Sequence, residues 1–279
     1  MARRGRIAKK FAELRARNEA ALIPYIVAGD PDMETTRKLV LELEARGADL
    51  IELGVPFSDP MADGPANQRA SARGLSSGAS LAGIFSMVSD LRKETRIPLI
   101  LFGYFNPYLH YGCERLCQDA AVAGVDAILT VDLPPEESAE LLKPARANGI
   151  DLIFLLAPTT PIERSRYIAR SGSGFLYYVS VTGVTGARTT VGADVETRVR
   201  ELRSVTDLPI GVGFGISTPE QAAKVATFAD AVVVGSAITG MVERHIVTGD
   251  TVTAVGELVG TLKDAIRAAR AGASIQAAN

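Results

Sequence analysis

The chain has 279 residues, of which 47% are hydrophobic and 22% charged, and its formal net charge at pH 7 is −2. This near balance of charge argues against a nucleic-acid-binding or membrane-surface protein. No apolar run approaches the roughly 18 residues of a membrane helix, and charges interrupt the positions after the basic start, where a secretory signal would be apolar. We therefore expect a cytoplasmic globular protein.

A first helix is expected at residues 7–17, followed by a recurring pattern. A helical stretch ends in Gly or Ala, an Asp follows, and a short apolar run then suits a strand covered on both faces. The pattern occurs at residues 47–51, 124–129, 149–154 and 229–234, and apolar runs at 22–27, 98–103, 175–179 and 209–213 complete eight predicted strands. Helical periodicity predicts helices between them at residues 35–45, 81–94, 134–148, 161–170, 195–205 and 219–227.

Eightfold alternation of strand and helix favours a closed parallel (β/α)8 TIM barrel over an open doubly wound sheet. No linker or break in composition divides the chain, so we expect a single domain over residues 1–279. It would comprise an N-terminal helix at about 1–19, the barrel at about 20–270 and a frayed tail at about 271–279. Chemistry in such a barrel lies at the carboxyl ends of the strands.

The second predicted strand carries an acid, Glu52, in an otherwise apolar run, and the Pro- and Gly-rich loop after it carries Asp59 and Asp63. Because side chains alternate along a strand, Glu52 shares one face with Leu50 and Gly54. A buried carboxylate is costly unless it has a partner or a function. Two such acids could divide proton transfer and charge stabilisation. The alternative is a satisfied ion pair beside an acidic surface loop.

Cysteine and histidine residues are too few to indicate other chemistry. Cys113 and Cys117 lie in a segment that looks helical, with only His110 nearby, which supports neither a metal site nor a disulfide framework. Neither His110 nor His245 lies beside a nucleophile motif, so a hydrolytic triad has little support.

Glycine-rich loops follow the last three predicted strands. Residues 182–193, after the sixth strand, predict a mobile lid or a disordered surface loop. Residues 211–217 and 235–238, after the seventh and eighth, occupy the recurrent phosphate site of the fold. They contain neither Lys nor Arg, so backbone amides, Ser236 and helix dipoles would hold the anion. The alternative is tight packing at the barrel rim.

The segments Ile51-Glu52-Leu53-Gly54 and Phe57-Ser58-Asp59-Pro60-Met61-Ala62-Asp63-Gly64 resemble the signature of the tryptophan synthase α chain family. Further matches follow the family's order and spacing at residues 24–26, 29–31, 106–107, 132–134, 183–186, 213–216 and 235–236. The resemblance implies a TIM-barrel lyase that cleaves indole-3-glycerol phosphate to indole and glyceraldehyde 3-phosphate. It also implies an α2β2 complex in which a pyridoxal-phosphate β chain makes tryptophan from the indole, while this chain itself needs no cofactor.

The same resemblance implies roles for individual residues. Glu52 would shuttle protons, Asp63 would accept the indole N–H, and Tyr177 would lie near the substrate hydroxyls. Thr185 would meet Asp63 on loop closure. The phosphate would be bound by Gly186, Gly215, Gly235 and Ser236, and the indole slot would be lined by Tyr25, Tyr104, Leu129 and Phe214. Loops 54–65, 106–109 and 182–192 would face the β chain.

The chain departs from the forms of the family known to us at Val181-Thr182 and at Ala66-Asn67. We expect neither departure to touch the catalytic pair. Three alternatives stay open: a stand-alone indole-3-glycerol-phosphate lyase, a different barrel enzyme of phosphorylated sugars or indoles, and a non-catalytic regulatory subunit.

Overall fold

All strands in the described part of the chain join one parallel sheet. A computed structural model describes residues 5–180, 193–213 and 215–278. The strands are β1 (Ala21–Val27), β2 (Ile51–Gly54), β3 (Leu99–Gly103), β4 (Ala127–Thr130), β5 (Asp151–Ile153), β6 (Leu155–Leu156), β7 (Leu176–Val179), β8 (Ile210–Gly213) and β9 (Ala231–Val234). Neighbouring strands follow the order β5-β4-β3-β2-β1-β9-β8-β7-β6.

The two ends of this order are consecutive in the chain, separated only by Phe154. β5 pairs with β4, and β6 pairs with β7. The backbone N–H of Tyr177 also reaches the Phe154 carbonyl at 3.3 Å. β5 and β6 therefore form a single interrupted barrel strand that closes the sheet. The predicted eight-stranded TIM barrel is confirmed, with its fifth strand divided.

Helices fill the connections and cover the outside of the barrel. They are α1 (Arg6–Ala16), α2 (Met33–Ala45), α3 (Pro65–Ser76), α4 (Leu81–Leu91), α5 (Phe105–Tyr111), α6 (Cys113–Ala123), α7 (Ala139–Ala147), α8 (Ile162–Ser171), α9 (Ala193–Arg203), α10 (Pro219–Ala226), α11 (Ser236–His245) and α12 (Thr251–Ala278). A 3-10 turn at Pro135–Glu137 precedes α7. α12 includes most of the tail that the sequence led us to expect as frayed. None of these helices is long and apolar enough to cross a membrane.

The core has two layers. The inner layer fills the barrel with alternate strand residues, and the outer layer packs the opposite faces of the strands against the helices. Ile7, Phe11 and Leu14 of α1 belong to the inner layer. The rings of Phe11 and Phe175 lie 5.9 Å apart. The first helix therefore closes the amino-terminal end of the barrel and leaves the opposite end for chemistry.

The recurring Asp before a strand has a structural role at this closed end. In three of the four predicted instances, its carboxylate accepts a backbone N–H from the first or second residue of the preceding strand, and a cation pairs with it. The bonds are Leu22 N–H to Asp49, Leu99 N–H to Asp126 and Ile210 N–H to Asp230, each at 2.9 Å. The cations are Lys263 at 2.7 Å, Arg92 at 3.0 Å and Arg203 at 2.9 Å, respectively.

Candidate active site

Glu52 lies near the carboxyl end of β2 and points into the barrel. The predicted alternation is confirmed, because Leu50 belongs to the inner core and Leu53 to the outer. Only 1% of Glu52 is exposed, and its Oε1 has no hydrogen-bond partner among the described residues. Burial raises the pKa of its carboxyl group to about 8. The geometry therefore lends no support to a satisfied ion pair at this position.

Tyr25 stands beside Glu52 on the neighbouring strand, since the two residues are in register between β1 and β2. A Cβ added to Gly54 would lie 2.4 Å from the Tyr25 hydroxyl oxygen, so only glycine admits the ring there. Burial raises the pKa of Tyr25 well above its usual value, and the nearby carboxyl groups of Asp63 and Glu52 raise it further. One phenol thus lies close to both predicted catalytic acids.

Tyr177 approaches the same acid from β7. A Cβ on Gly213 of β8 would lie 2.2 Å from the Tyr177 hydroxyl oxygen, so this glycine also makes room for a tyrosine. Burial raises the pKa of Tyr177, and Glu52 and Tyr25 contribute in the same direction. The structure therefore brings Tyr25, Glu52 and Tyr177 together inside the barrel.

Asp63 lies at the end of the loop after β2, two residues before α3. The Tyr104 hydroxyl donates to its Oδ2 at 2.9 Å, and the Asn67 amide lies 3.5 Å from its Oδ1. The Tyr104 oxygen also accepts the backbone N–H of Ala62 at 3.0 Å, which holds the loop in place. Burial raises the pKa of Asp63, while the bonds from Tyr104 and Asn67 favour its charged form and oppose the rise.

Aromatic rings surround these acids. Tyr104 packs against Phe57 with ring centroids 5.4 Å apart, and Tyr25 meets Phe102 edge to face at 5.1 Å. Leu129 is fully buried in the same inner layer. Such walls suit a flat apolar ring system. Phe214, the fourth predicted lining residue, lies outside the described residues.

Three of the four predicted phosphate residues, Gly215, Gly235 and Ser236, lie at the rim beside this cluster. Gly235 precedes α11, and Ser236 is the first residue of that helix, so the first backbone amides of the helix are free of intrahelical partners. A Cβ on Gly235 would lie 3.7 Å from the Tyr25 Cβ, which places the turn against the aromatic wall. Gly215 follows β8 with φ of 77°. The remaining predicted residues, Gly186 and Thr185, fall outside the described residues.

Sequence reasoning missed three residues at this end of the barrel: Asn67, Thr239 and Phe102. The expectation that Ala66-Asn67 stays clear of the catalytic pair is wrong at Asn67, whose amide contacts Asp63. A signal was present, because Asn67 follows Asp63 by four residues across a proline-initiated helix start, a spacing that puts two side chains on one face. No comparable signal marks Thr239, which is far away in sequence.

A closed parallel barrel with buried and hydrogen-bonded acids, aromatic walls and a helix amino terminus at its carboxyl end has the architecture of a (β/α)8-barrel enzyme. Comparison with known proteins narrows this class. Residues 11–267 match the family model described as tryptophan synthase alpha chain. The chain belongs to the tryptophan synthase alpha chain family.

Individual relatives agree with this assignment. The alpha chain of Geobacter sp. (strain M21) is 59% identical over 240 residues, which cover 86% of this chain and 90% of the relative. The alpha chain of Geotalea uraniireducens is 54% identical over 264 residues, which cover 94% of this chain and 98% of the relative. The crystal structure of tryptophan synthase subunit alpha from Legionella pneumophila superposes with a TM-score of 0.88 at 38% identity, covering 95% of this chain and 99% of that one.

The known reaction of the family is the cleavage of indole-3-glycerol phosphate to indole and glyceraldehyde 3-phosphate. This chain is a carbon–carbon lyase of that kind. The different barrel enzyme and the non-catalytic subunit considered above are therefore set aside.

Proposed function

We propose that Glu52 and Asp63 carry out this cleavage as a proton shuttle and a charge-stabilising carboxylate. The observation that carries the proposal is the full burial of Glu52 near the carboxyl end of β2, with an oxygen that has no hydrogen-bond partner in the described part of the chain. Burial favours the neutral form of an acid, and a pKa of about 8 keeps Glu52 protonated at neutral pH. The carboxyl group can therefore donate a proton before it accepts one.

Glu52 can both donate and recover the proton that the reaction needs. Its carboxyl group donates a proton to C3 of the indole, which generates a cation delocalised to the ring nitrogen. The bond between C3 and the glycerol carbon then breaks, and its electron pair neutralises the ring. The glycerol hydroxyl becomes an aldehyde as its proton passes to the Glu52 carboxylate. This restores the starting acid and leaves indole and glyceraldehyde 3-phosphate.

Asp63 has surroundings suited to the second role. Hydrogen bonds from Tyr104 and Asn67 favour its carboxylate form, and a carboxylate that accepts the indole N–H stabilises the positive charge developing on the ring. General acid–base catalysis contributes about 10²–10⁴-fold, so Glu52 alone cannot supply the whole rate enhancement. Orientation of the substrate and Asp63 would supply the rest.

The other predicted residues would hold the substrate. Tyr177 would face its hydroxyl groups, and Tyr25, Tyr104, Leu129 and Phe214 would line the indole slot. Gly186, Gly215, Gly235 and Ser236 would bind the phosphate, and Thr185 would meet Asp63 on closure. Free amides at the start of α11 support the phosphate assignment, because helix amino termini favour anions.

A complex with a β chain completes the proposal. The family name implies such a partner, and we propose an α2β2 assembly in which the β chain carries pyridoxal phosphate. α chains of this family need no cofactor of their own. Exposed Met61 and Leu109, in two of the loops predicted to face the partner, support this surface. A cytoplasmic location belongs to the same proposal, as does a single domain, which the one continuous sheet supports.

The Glu52→Gln variant tests the proton shuttle. We expect indole formation from indole-3-glycerol phosphate to fall by at least 10²-fold, because the amide has no acidic proton to transfer. Calorimetry should show nearly unchanged substrate affinity, because the amide keeps the shape of the acid. Glu13→Gln, an exposed change on α1, is the matched control and should retain full activity. Glu52→Gln activity close to that of the unmodified chain would remove Glu52 from this role.

A further inference from the structure

The side chain of Asn67, the third residue of α3, lies between Asp63 and α11. Its Nδ2 is 3.5 Å from Asp63 Oδ1, and its Oδ1 accepts the Thr239 hydroxyl proton at 2.8 Å. Nδ2 also lies near Gly235, where an added Cβ would be 3.9 Å away. The amide therefore adjoins both the predicted indole-binding carboxylate and the predicted phosphate turn.

The orientation of this amide follows from the chemistry of its neighbours. An ionised carboxylate only accepts hydrogen bonds, so the nitrogen of the Asn67 amide, and not its oxygen, must face Asp63. The amide oxygen then faces Thr239, whose hydroxyl can donate to it. The Asp63 carboxylate thus sets the orientation of the amide, and the bond from Thr239 anchors the amide in that orientation.

Both residues are held by their helices. Thr239 is buried in the first turns of α11, with 1% exposure. Arg69 of α3 forms a two-pronged ion pair with Glu243 of α11, at 2.6 and 2.8 Å. Arg73 of α3 also bonds Glu243 at 3.2 Å. These contacts keep the Asn67 and Thr239 side chains in reach of one another.

We propose that Asn67, anchored by Thr239, is a positioning residue that holds the Asp63 carboxylate ionised and aimed at the indole nitrogen. The proposal deepens the function above and rests on the role of Asp63 stated there. Among the described residues, the titratable groups that interact with Asp63 are Tyr104, at the start of α5, and Tyr25, on β1. Neither changes in the variants below.

The expected effect has a defined sign. A donor to the charged form of an acid lowers its pKa, so its removal raises the pKa of Asp63. The acid limb of the kcat/KM profile, below which Asp63 is protonated, should therefore move to higher pH. We expect kcat to fall about tenfold, the lower end for a hydrogen bond to a charged group, because 3.5 Å is a long separation. KM should change little.

Asn67→Leu and Thr239→Val test the proposal in the full chain with indole-3-glycerol phosphate as substrate. Asn67→Leu removes the donor, and Thr239→Val keeps the shape of threonine but removes the hydroxyl that anchors the Asn67 amide. Thr239→Ser should restore the pH profile, because it keeps the hydroxyl. Gln68→Leu is the matched control, since the Gln68 amide bonds the Asp63 backbone carbonyl at 2.9 Å and not the carboxylate.

Shifted acid limbs in Asn67→Leu and Thr239→Val, with rescue by Thr239→Ser, would support the proposal. An acid limb that stays at its original pH in both variants would overturn the proposal. An effect confined to KM would also overturn it, because such an effect indicates direct contact with substrate. Thr239→Val alone decides the matter if Asn67→Leu fails to fold. The Asp63→Asn variant tests the role of Asp63, on which this inference rests, independently of Asn67. Full activity of Asp63→Asn would refute the role of Asp63, whereas an inactive Asp63→Asn beside unmoved limbs would refute only the role of Asn67.

Discussion

At the residue scale, two carboxyl groups near one barrel end differ in their surroundings. Burial alone raises the pKa of Glu52, whose Oε1 has no hydrogen-bond partner among the described residues, whereas the effect of burial on Asp63 is opposed by bonds from Tyr104 and Asn67. Such a difference separates an acid that starts protonated from one that stays charged. The proposed division of roles rests on this difference, because hydrogen-bond donors favour the charged form of Asp63 and burial favours the neutral form of Glu52.

The raised pKa of Glu52 predicts a dependence of stability on pH. Between its ordinary value of 4.5 and about 8, the folded state keeps a proton that the unfolded state has lost. Stability from this group is therefore complete below pH 4.5 and declines as pH rises to about 8. Urea unfolding across this range should show a decline in the unmodified chain that Glu52→Gln lacks. Parallel curves for the two proteins would contradict the raised pKa.

Sequence patterns predicted the position of Glu52 but not the contacts of Asn67. Alternation along one strand is a local property, so the inward face of Glu52 could be predicted from its neighbours. The contact of Asn67 with Thr239 joins positions 172 residues apart. It depends on the closure of the barrel, which brings α3 beside α11. Only the folded structure could reveal it.

At the element scale, periodicity predicted most of the helices but missed α3, α5 and α12, although α12 buries an apolar row of Val255, Val259, Leu262 and Ile266. α3 buries Ala70, Ser71 and Gly74, which are small residues without a hydrophobic period. The Gly-Asp pattern was correctly predicted to precede strands. The hydrogen bonds from the neighbouring strand to the Asp carboxylate were not predicted, because they depend on which strands lie side by side.

The buried ion pair between Lys263 and Asp49 tests the importance of these bonds. Lys263 of α12 is fully buried and lies 2.7 Å from Asp49, which also holds the Leu22 N–H of β1. Loss of one partner from a buried pair costs about 3–5 kcal/mol. Lys263→Met should therefore lower the free energy of unfolding by about that much, measured by urea denaturation.

Lys93→Met is the control for this prediction. Lys93 is paired with Asp90 on the surface, and exposed pairs contribute about 0–1 kcal/mol. Equal effects of the two substitutions would show that the Lys263–Asp49 pair does not stabilise the closed end of the barrel.

At the scale of the whole molecule, α1 closes one end of the barrel and the opposite end carries the site. This arrangement leaves the loops after β2 and β3 at the mouth, where Met61 is 81% exposed and Leu109 46% exposed. In the proposed complex, these exposed apolar side chains would belong to the surface that binds the partner. The proposed β chain would cover them as it receives indole.

Met61→Asp tests that surface. A charge in an apolar interface should weaken binding of a tryptophan synthase β chain by tenfold or more, about 1.4 kcal/mol, in a titration by calorimetry. Val247→Asp is the control, because Val247 is 95% exposed but follows α11, outside the predicted partner loops. Unchanged affinity in Met61→Asp would move the interface elsewhere.

Indole release from indole-3-glycerol phosphate by the purified chain, with and without a tryptophan synthase β chain, tests the account most directly. We predict slow release by the chain alone and a large rise with the partner. Fast release without any partner would instead indicate a stand-alone lyase. No indole under either condition would contradict the assigned reaction.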